Sequence, residues 1–356
     1  MIFDDVLTIK NGRNQKAVEN PKGKYPIYGS GGVMGYADDY ICSANTVVIG
    51  RKGSINNPIF VECPFWNVDT AFGLEAKTEV LIPRYLYYFC KHFNFEKLNK
   101  TVTIPSLTKS DLLKIEIDLP EISKQRSIVS QLSKIEDVVA LRQRQLQKLD
   151  ELVKARFVEM FGDPVSNSHR LPEATLPELG EFGRGISKHR PRNDPKLLGG
   201  KYPLIQTGDV AAANLYITSY DSTYSELGLK QSKMWDKGTL CITIAANIAK
   251  TAILDFDACF PDSVVGFTAN KKTNNIFIHY WFSFFQAILE SQAPESAQKN
   301  INLKILSELK IIVPPIEQQN EFVAFVEQTD KSKVIVQKAL DEAQTLFDSL
   351  MQEYFG

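Results

Sequence analysis

The sequence predicts an α+β protein in which two mixed α/β domains are repeated in tandem. Each domain is followed by a long helix, and the two helices are expected to pair as an antiparallel coiled coil. Three observations predict this fold class. The chain repeats itself at a fixed offset of 194 residues, a heptad pattern of apolar residues follows each copy, and short β-like runs precede it. So long a period is typical of a duplicated structural unit.

The repeat divides the chain into four segments. Residues 119–125 read LPEISKQ and residues 313–319 read VPPIEQQ, and the two copies then align without a gap until MFG in the first meets YFG in the second. Upstream the match is looser, because the second copy carries insertions. The predicted segments are a first domain at residues 1–120, a first helix at 121–162, a second domain at 163–314 and a second helix at 315–356.

Each domain has the pattern of a mixed α/β unit. Residues 46–49 (TVVI) and 239–244 (TLCITI) are rich in β-branched residues and bounded by turn residues, which predicts short strands. An aromatic-rich helix is predicted at about 82–98 in the first domain and at 276–292 in the second. Five residues at helical spacing in the first of these helices are predicted to form core: Tyr85, Leu86, Phe89, Cys90 and Phe93.

Apolar residues recur three and four apart in both helical segments, which predicts a coiled-coil seam. Because each stripe is longer than a small domain can cover, the other helix is the expected partner, and an antiparallel pairing would place the domains at opposite ends of a rod. The predicted seam of the first helix contains Ile128, Leu132, Ile135, Val139, Leu146, Leu149 and Val153. The predicted seam of the second contains Phe322, Val326, Val336, Leu340, Phe347 and Leu350.

The charge of the chain is nearly balanced but unevenly distributed. A net charge of −1 would normally argue against a polyanionic partner. Residues 316–356 hold eight acidic and three basic residues, whereas residues 121–162 hold six acidic and eight basic residues, so opposite charge favours helix pairing.

Positive charge within the domains is concentrated in two loops at equivalent places of the repeat. One basic loop is usually only a solvated surface, but its recurrence in both copies favours contact with phosphates. The first loop supplies Lys10, Arg13, Lys16, Lys22 and Lys24. The second supplies Arg184, Lys188, Arg190, Arg192 and Lys201.

The sequence offers no catalytic or metal-binding constellation. The four histidines lack metal-ligand spacing, and the five cysteines form no CxxC pair, so reduced, structural thiols are expected. There is no GxSxG motif and no P-loop. No apolar run is long enough to cross a bilayer and no signal sequence is recognisable, so a soluble, cytoplasmic protein is expected. Binding without catalysis is therefore the predicted function.

With its repeat, its two proline turns of the form Leu-Pro-x-Ile-x-x-Gln and its two helices ending in Phe-Gly, the chain resembles the specificity subunit of a type I restriction-modification system over its whole length. The resemblance implies two target recognition domains, each reading one half of a bipartite sequence in double-stranded DNA. It implies helices that set the spacer between the half-sites and dock two methyltransferase subunits, in a complex that also contains restriction subunits. S-Adenosylmethionine and ATP would be held by those partners, with no cofactor bound by this chain.

Further DNA contacts are predicted outside the basic loops. The turn at residues 50–54 presents Arg51 and Lys52, and such side chains can make the bidentate contact that guanine favours. An ordinary exposed turn explains the same residues equally well. The polar approaches to the two proline turns add Lys100, Thr101, Gln298, Lys299 and Asn300.

Two alternatives stay open on the residues alone. A coiled-coil adaptor with two protein-binding domains and no DNA partner would also suit the near-neutral charge. Binding that weakens steeply with added salt would favour DNA over that alternative, because phosphate binding releases counterions. A DNA-reading subunit could also serve a fused endonuclease-methyltransferase.

Overall fold

The computed structural model describes residues 1–101, 104–245, 248–292 and 303–356. It divides into two compact units. The first unit contains Met1–Gln145 together with Val336–Gly356, and the second contains Leu146–Ile335. Each unit thus combines a globular domain with one end of each long helix, whereas the domain bounds drawn from the repeat stay a prediction.

The first domain is built from small sheets closed by short helices. Its elements, with the long helix that follows, are α1 (Phe3–Val6), β1 (Leu7–Asn11), β2 (Tyr25–Gly29), β3 (Gly32–Ala37), β4 (Thr46–Gly50), β5 (Ile59–Val61), β6 (Trp66–Asn67), β7 (Ala71–Ala76), α2 (Pro83–His92), α3 (Lys109–Leu112) and α4 (Ile122–Phe161). Strands β1, β7, β4 and β5 form an antiparallel sheet in that order. A further sheet has the order β3-β2-β6, and β2 and β6 are parallel.

The second domain has longer connections. Its elements, with the last helix, are β8 (Glu173–Ala174), α5 (Leu176–Leu179), β9 (Gly180–Arg184), β10 (Leu198–Leu204), α6 (Thr207–Ala212), β11 (Tyr216–Ile217), β12 (Ser222–Tyr224), α7 (Glu226–Lys230), β13 (Met234–Trp235), β14 (Leu240–Thr243), β15 (Thr251–Leu254), β16 (Ala258–Cys259), β17 (Val264–Ala269), α8 (Asn275–Gln292), α9 (Leu303–Glu308), β18 (Ile311–Ile312) and α10 (Ile316–Phe355). Its sheets have the orders β11-β15-β14-β17-β9, β12-β10-β16-β13 and β18-β8.

The two domains share the register of their central strands. Leu7 of β1 pairs with Ala76 of β7, and Gly180 of β9 pairs with Ala269 of β17, which is the equivalent position 193 residues later. The order β1-β7-β4 is therefore repeated as β9-β17-β14. This shared register, with the long helix after each domain, confirms the predicted tandem α+β fold.

The aromatic helix of the first domain forms core, as predicted, but it is shorter than predicted. Tyr85, Leu86 and Phe89 are buried in one apolar cluster, against which Phe93 packs. Helix α2 ends at His92, and a 3₁₀ helix, Phe95–Leu98, follows. The prediction that this helix extends to residue 98 is wrong. The Asn94 side chain accepts a hydrogen bond from the Glu96 backbone N–H and so begins a new helical turn.

The two proline turns share one spacing, which is explained by a buried glutamine in each; we call this side chain the glutamine clamp (Gln125 and Gln319). In the first unit, Gln125 Nε2 donates to the carbonyl oxygens of Val80 and Pro120, both at 2.9 Å, and its Oε1 accepts from the Ile82 backbone N–H at 2.9 Å. The clamp therefore joins the start of α2 to the start of α4.

The second clamp makes the equivalent bonds. Gln319 Nε2 donates to the carbonyl oxygens of Lys272 at 3.1 Å and Pro314 at 2.9 Å, and its Oε1 accepts from the Thr273 hydroxyl at 2.9 Å. Both clamp side chains are buried. The repeated glutamine thus satisfies backbone groups that water cannot reach.

In the first unit, the N-terminal part of α4 lies against the C-terminal part of α10. The Tyr354 hydroxyl donates a 2.9 Å hydrogen bond to Gln131 Oε1. Phe347 is buried in the same apolar cluster as Ile128 and Leu132. Because the beginning of one helix meets the end of the other, the pairing here is antiparallel.

In the second unit, the C-terminal part of α4 lies against the N-terminal part of α10. The ring centres of Phe157 and Phe322 are 5.3 Å apart. Arg156 donates a 2.9 Å hydrogen bond to Glu321 across the pair. The predicted helix pairing is therefore confirmed within each unit.

Polar residues interrupt the apolar seam in both long helices. Lys333 is largely buried and lies 2.5 Å from the Asp150 carboxylate. The buried Thr329 hydroxyl donates to the Phe325 carbonyl oxygen at 2.9 Å. Lys333 and Thr329 fit the register because each has a local partner, whereas Arg142 leaves its buried Nε without one among the described residues.

All the predicted seam residues lie on the covered side of their helices. The buried ones are Ile128, Leu132, Val153, Phe322, Val326 and Phe347. The half-buried ones are Ile135, Val139, Leu146, Leu149, Val336, Leu340 and Leu350. The expectation that each helix pairs with the other helix instead of its domain is wrong at the helix ends, where Ile128, Leu132 and Phe347 share a cluster with Tyr85 and Leu86. The aromatic helix of the domain adds apolar surface that a partner helix alone does not supply.

The buried imidazole of His279 makes the second unit sensitive to acid. Burial lowers its pKa to about 4, and Nδ1 is 2.9 Å from the Thr251 hydroxyl. The unfolded chain takes up this proton near pH 6.5 and the folded chain only near pH 4, so stability falls as the pH drops through that window. We expect a loss of about 3 kcal/mol across it.

Urea unfolding of the wild type and of His279→Gln at pH 7 and pH 4.5 measures this effect. The stability difference between the two proteins should shift in favour of the variant in acid, because the variant has no imidazole to protonate. Replacing the exposed His169 in the same way is the control. Equal acid losses in wild type and His279→Gln would contradict the assignment.

Candidate nucleic-acid interface

The turn that presents Arg51 and Lys52 is held by backbone bonds on both sides. The backbone N–H groups of Arg51 and Lys52 donate to the Thr70 carbonyl oxygen at 2.8 and 3.3 Å, and the Arg51 carbonyl oxygen accepts from Leu107 at 2.9 Å. Both basic side chains are exposed. The scaffold therefore positions the backbone of this turn and leaves both side chains exposed, with the Arg51 guanidinium 5.7 Å from the centre of the Phe72 ring.

The polar approach to the first proline turn lies beside that turn. Lys52 and Ser106 form an isolated β-bridge. Asn99 Oδ1 accepts from the backbone N–H groups of Thr101 at 3.1 Å and Ser106 at 3.2 Å. The structure thus brings Lys52 and Thr101, predicted separately, into one neighbourhood.

Lys100 in the same loop is already paired with a carboxylate. Its ammonium lies 2.8 Å from Asp111, and this hydrogen bond is the main reason that the pKa of Asp111 is lowered. The Lys100 side chain is 72% exposed, so the ion pair is weak and can be exchanged for a phosphate.

Arg13 is held by hydrogen bonds to strand β6, close to the loop that holds the Arg51 turn. Its backbone N–H donates to the Asn67 carbonyl oxygen at 2.8 Å, and its carbonyl oxygen accepts from the Trp66 indole at 3.0 Å. Gly12 passes so close to the Val68 carbonyl oxygen that a Cβ would lie 1.7 Å from it. The loop between β6 and β7 therefore supports both Arg13 and the Arg51 turn.

The rest of the first basic cluster is divided by the fold. Lys10 lies 3.6 Å from the Glu75 carboxylate in the central sheet. Lys16 is exposed in the loop that leads to β2. Lys22 and Lys24 are exposed at the start of β2, at the opposite end of that strand from its turn with β3. The cluster is therefore not a single patch, although every member keeps some solvent exposure.

The second basic cluster faces an acidic residue that the sequence pattern did not associate with it. Arg190 lies 3.3 Å from the Asp262 carboxylate, and Arg192 contacts the same carboxylate. The charge pattern along the chain gave no sign of this pairing, because the fold brings Asp262 to the cluster from some seventy residues away. Lys201 is likewise 3.4 Å from Glu226.

Arg184 and Lys188 complete the cluster at the end of β9. Both are exposed. Gly185, which follows Arg184, donates its backbone N–H to the Val264 carbonyl oxygen at 2.9 Å, and Gly12 donates to the equivalent Ala71 oxygen at 3.4 Å. The basic loops of the two domains therefore leave their sheets at equivalent points.

A cleft with polar and apolar walls lies beside the second cluster. Its volume is about 230 Å³, and its walls include Arg192, Gln206, Thr207, Ser222 and Ser263. Amide and hydroxyl groups of this kind can pair with base edges or phosphate oxygens. The predicted contacts Gln298, Lys299 and Asn300 lie outside the described residues.

Sequence reasoning missed exposed apolar residues near the Arg51 turn. Val33 is 54% exposed, Met34 is 62% exposed and Ile104 is 60% exposed. No pattern in the sequence marked these residues, because the exposure of a side chain depends on what folding places over it.

Metal, thiol and membrane features add no further site. Among residues 1–101, 104–245, 248–292 and 303–356, no group of three or more His, Cys, Asp or Glu side chains is placed to hold a metal ion. Burial raises the pKa of the Cys90 and Cys241 thiols. Cys63 is exposed, so the expectation that every thiol is structural is wrong there.

Within the described part of the chain, no helix is long and apolar enough to cross a bilayer.

Tandem α/β domains with basic edges, carried on paired helices, define the class of two-domain DNA-recognition subunits. The profile of the type I restriction modification DNA specificity domain matches residues 3–151 and 173–344. The chain therefore belongs to the family of type I restriction-modification specificity subunits. Its function is sequence-specific DNA recognition.

Relatives and solved structures agree with this assignment. A Methanocaldococcus jannaschii protein named as the MjaX type I restriction enzyme specificity subunit is 22% identical, over 78% of this chain and 68% of its own length. The Escherichia coli EcoBI specificity subunit is 21% identical, over 94% of this chain and 77% of its own. The fold is similar to that of the type I S subunit from M. genitalium, with a TM-score of 0.66, 18% identity and coverage of 100% of this chain and 95% of the other. A chain from a study of type I complex assembly and conformational transition has a TM-score of 0.59, 17% identity and coverage of 100% and 96%.

Proposed function

We propose that each domain of this chain reads one half of a bipartite target in double-stranded DNA, within a complex of methyltransferase and restriction subunits. The observation that carries the proposal is the repetition of one arrangement in both domains. In each, a basic loop leaves the central sheet beside Ala71 or its equivalent Val264. Two similar readers in one chain suit a target with two half-sites.

The long helices have a separate role in this proposal. Each contains 40 residues, and an α-helix of that length extends about 60 Å. Their length would set the number of unread base pairs between the half-sites. The subunit itself would not be catalytic, and the methyl donor and ATP would be held by the partner subunits.

Exposed apolar residues on the helices mark where two identical partners would dock. The first unit exposes Leu141 and Leu346, and the second exposes Leu152 and Ile335, each side chain being at least 49% accessible. Leu141 and Ile335 are equivalent in the repeat, as are Leu152 and Leu346. We call these two pairs the apolar docking positions. Repetition of the same feature in both units supports one methyltransferase subunit on each.

Exchange of a single domain tests the reading of one half-site by each domain. Replacing residues 1–120 with the first domain of another family member should change one half of the methylated motif completely and leave the other half intact. The donor domain must fill the contacts with Ile128, Leu132 and Phe347, so the junction belongs at Pro120, before α4 begins. Sequencing of methylated sites in cells that carry the chimera gives the result.

The reciprocal exchange of residues 163–314 is the control and should change only the other half. A motif that changes in both halves after either exchange would contradict the proposal. Failure to methylate at all in cells where the chimera still co-purifies with its methyltransferase would contradict it as well.

A further inference from the structure

The turn between β2 and β3 is a narrow, uncovered projection of the first domain. Gly29 pairs with Gly32 across a two-residue turn, and Gly32 has a φ of +117°, which glycine adopts without strain. A Cβ added to Gly31 or to Gly32 would meet nothing within 4 Å. The tip is therefore free to approach another molecule closely.

A register shift in this hairpin presents apolar side chains beside the tip. Ile27 pairs with Gly35 and Tyr28 pairs with Val33, so the strand that contains Met34 has one extra residue. Such a bulge redirects side chains. Val33 and Met34 are exposed by 54% and 62%. Two adjacent apolar side chains at a hairpin tip are thus available for contact with a partner.

The tip lies directly against the basic turn. The Cβ position of Gly50 is 3.0 Å from Ser30 Cβ and 2.4 Å from the Ser54 carbonyl oxygen, so Ser30 at the tip contacts the loop that presents Arg51 and Lys52. The apolar tip and these cations thus form one surface.

Arg13 belongs to the same surface. The Tyr28 carbonyl oxygen accepts from the Val68 backbone N–H at 3.0 Å, and the preceding residue, Asn67, accepts from Arg13. The strand that leads to the tip is therefore connected through the backbone to Arg13 as well as to the Arg51 turn.

We propose that the β2–β3 hairpin is the base-reading element of the first domain, and that Val33 and Met34 contact thymine methyl groups in the major groove. This inference rests on the proposed reading of one half-site by each domain. A two-stranded ribbon fits the major groove, where thymine alone presents a methyl group, and apolar side chains recognise that group. Arg13, Arg51 and Lys52 contact the phosphates on either side and hold the hairpin in register.

The second domain has a different surface at the equivalent place. Its β10 and β12 are joined by a longer connection that contains α6 and β11, and the cleft lined in part by Gln206 and Ser222 lies there. The inference therefore assigns thymine-methyl recognition through this hairpin to the first half-site alone.

Replacement of thymine by uracil tests the contact by removing only the methyl group. The complex of this chain with its methyltransferase subunits is bound to its own methylated motif, with each thymine of the first half-site replaced in turn. For the wild type, at least one replacement should weaken binding by about three- to fivefold. The double variant Val33→Ser/Met34→Gln should bind the thymine and uracil duplexes equally.

Val80→Ser, the same change at an exposed valine outside the hairpin, should keep the wild-type response. The inference is overturned if uracil is tolerated at every position of the first half-site, if that half-site contains no T·A pair, or if the double variant stays as sensitive as the wild type. In those cases the complex still prefers its motif to a scrambled duplex, so the proposed function stands. Loss of that preference in the wild type would overturn the proposed function together with the inference.

Discussion

Gln125→Ala is expected to lower the free energy of unfolding of the first unit by about 3 kcal/mol, because buried backbone groups lose their partners. The Val80 and Pro120 carbonyl oxygens and the Ile82 N–H each bond to this side chain, and the helix that would have to move to expose them carries Tyr85. Urea denaturation monitored by circular dichroism measures the change. Gln319→Ala should cost the second unit a similar amount.

Comparing two different replacements of Gln125 tests whether the glutamine clamp depends on hydrogen-bond donation. Gln125→Glu should be worse than Gln125→Ala at neutral pH, since a carboxylate accepts from Ile82 but cannot donate to either carbonyl oxygen and adds a buried charge. Acid should restore part of that loss by protonating the carboxylate. Gln143→Ala, at an exposed position of the same helix, is the matched control and should change stability by less than about 0.5 kcal/mol. An alanine variant at Gln125 as stable as the Gln143 control would show that the clamp is not structural.

Charged replacements at the apolar docking positions should remove methyltransferase subunits one at a time. Leu141→Asp/Leu346→Asp alters only the first unit and should leave a complex with one methyltransferase subunit in place of two. Leu152→Asp/Ile335→Asp should do the same through the second unit, and the fourfold variant should bind none. A desolvated aspartate opposite an apolar partner surface costs several kcal/mol, which is enough to prevent assembly at micromolar concentration.

Mass measurement of the purified complexes gives the stoichiometry directly. The positions are exposed, so each variant should fold and melt as the wild type does. Val158→Asp is the control, because Val158 is an exposed apolar residue of α4 whose equivalent in the repeat is the polar Gln352. Full occupancy by two methyltransferase subunits in the fourfold variant would show that docking takes place elsewhere.

Much of the architecture could be predicted because its signals are local. The heptad spacing marks which side of each helix is covered, and the covered side contains all the predicted seam residues, from Ile128 to Leu350. The aromatic spacing after residue 82 likewise identified Tyr85 and Leu86 as core. Such patterns are readable since the side of an element that loses water is determined by side chains a few positions apart.

The candidate interface was less accessible to the same reasoning. Arg51 and Lys52 could be singled out by type, but their proximity to Thr101 depends on the bridge to Ser106, more than fifty residues along the chain. The neutralisation of Arg190 and Arg192 depends on Asp262 in the same way. Counting charges along a sequence does not show which distant residues will form ion pairs after folding.

By itself the sequence determined the duplication, the helix seam, the family and the presence of a glutamine in each proline turn. Only the tertiary structure decided what that glutamine does, which cations are already paired, and that Val33 and Met34 remain uncovered. The physical reason is the range of the interactions. Periodicity and repetition arise from neighbours along the chain, whereas hydrogen-bond satisfaction, ion pairing and exposure depend on atoms that folding brings together from distant segments.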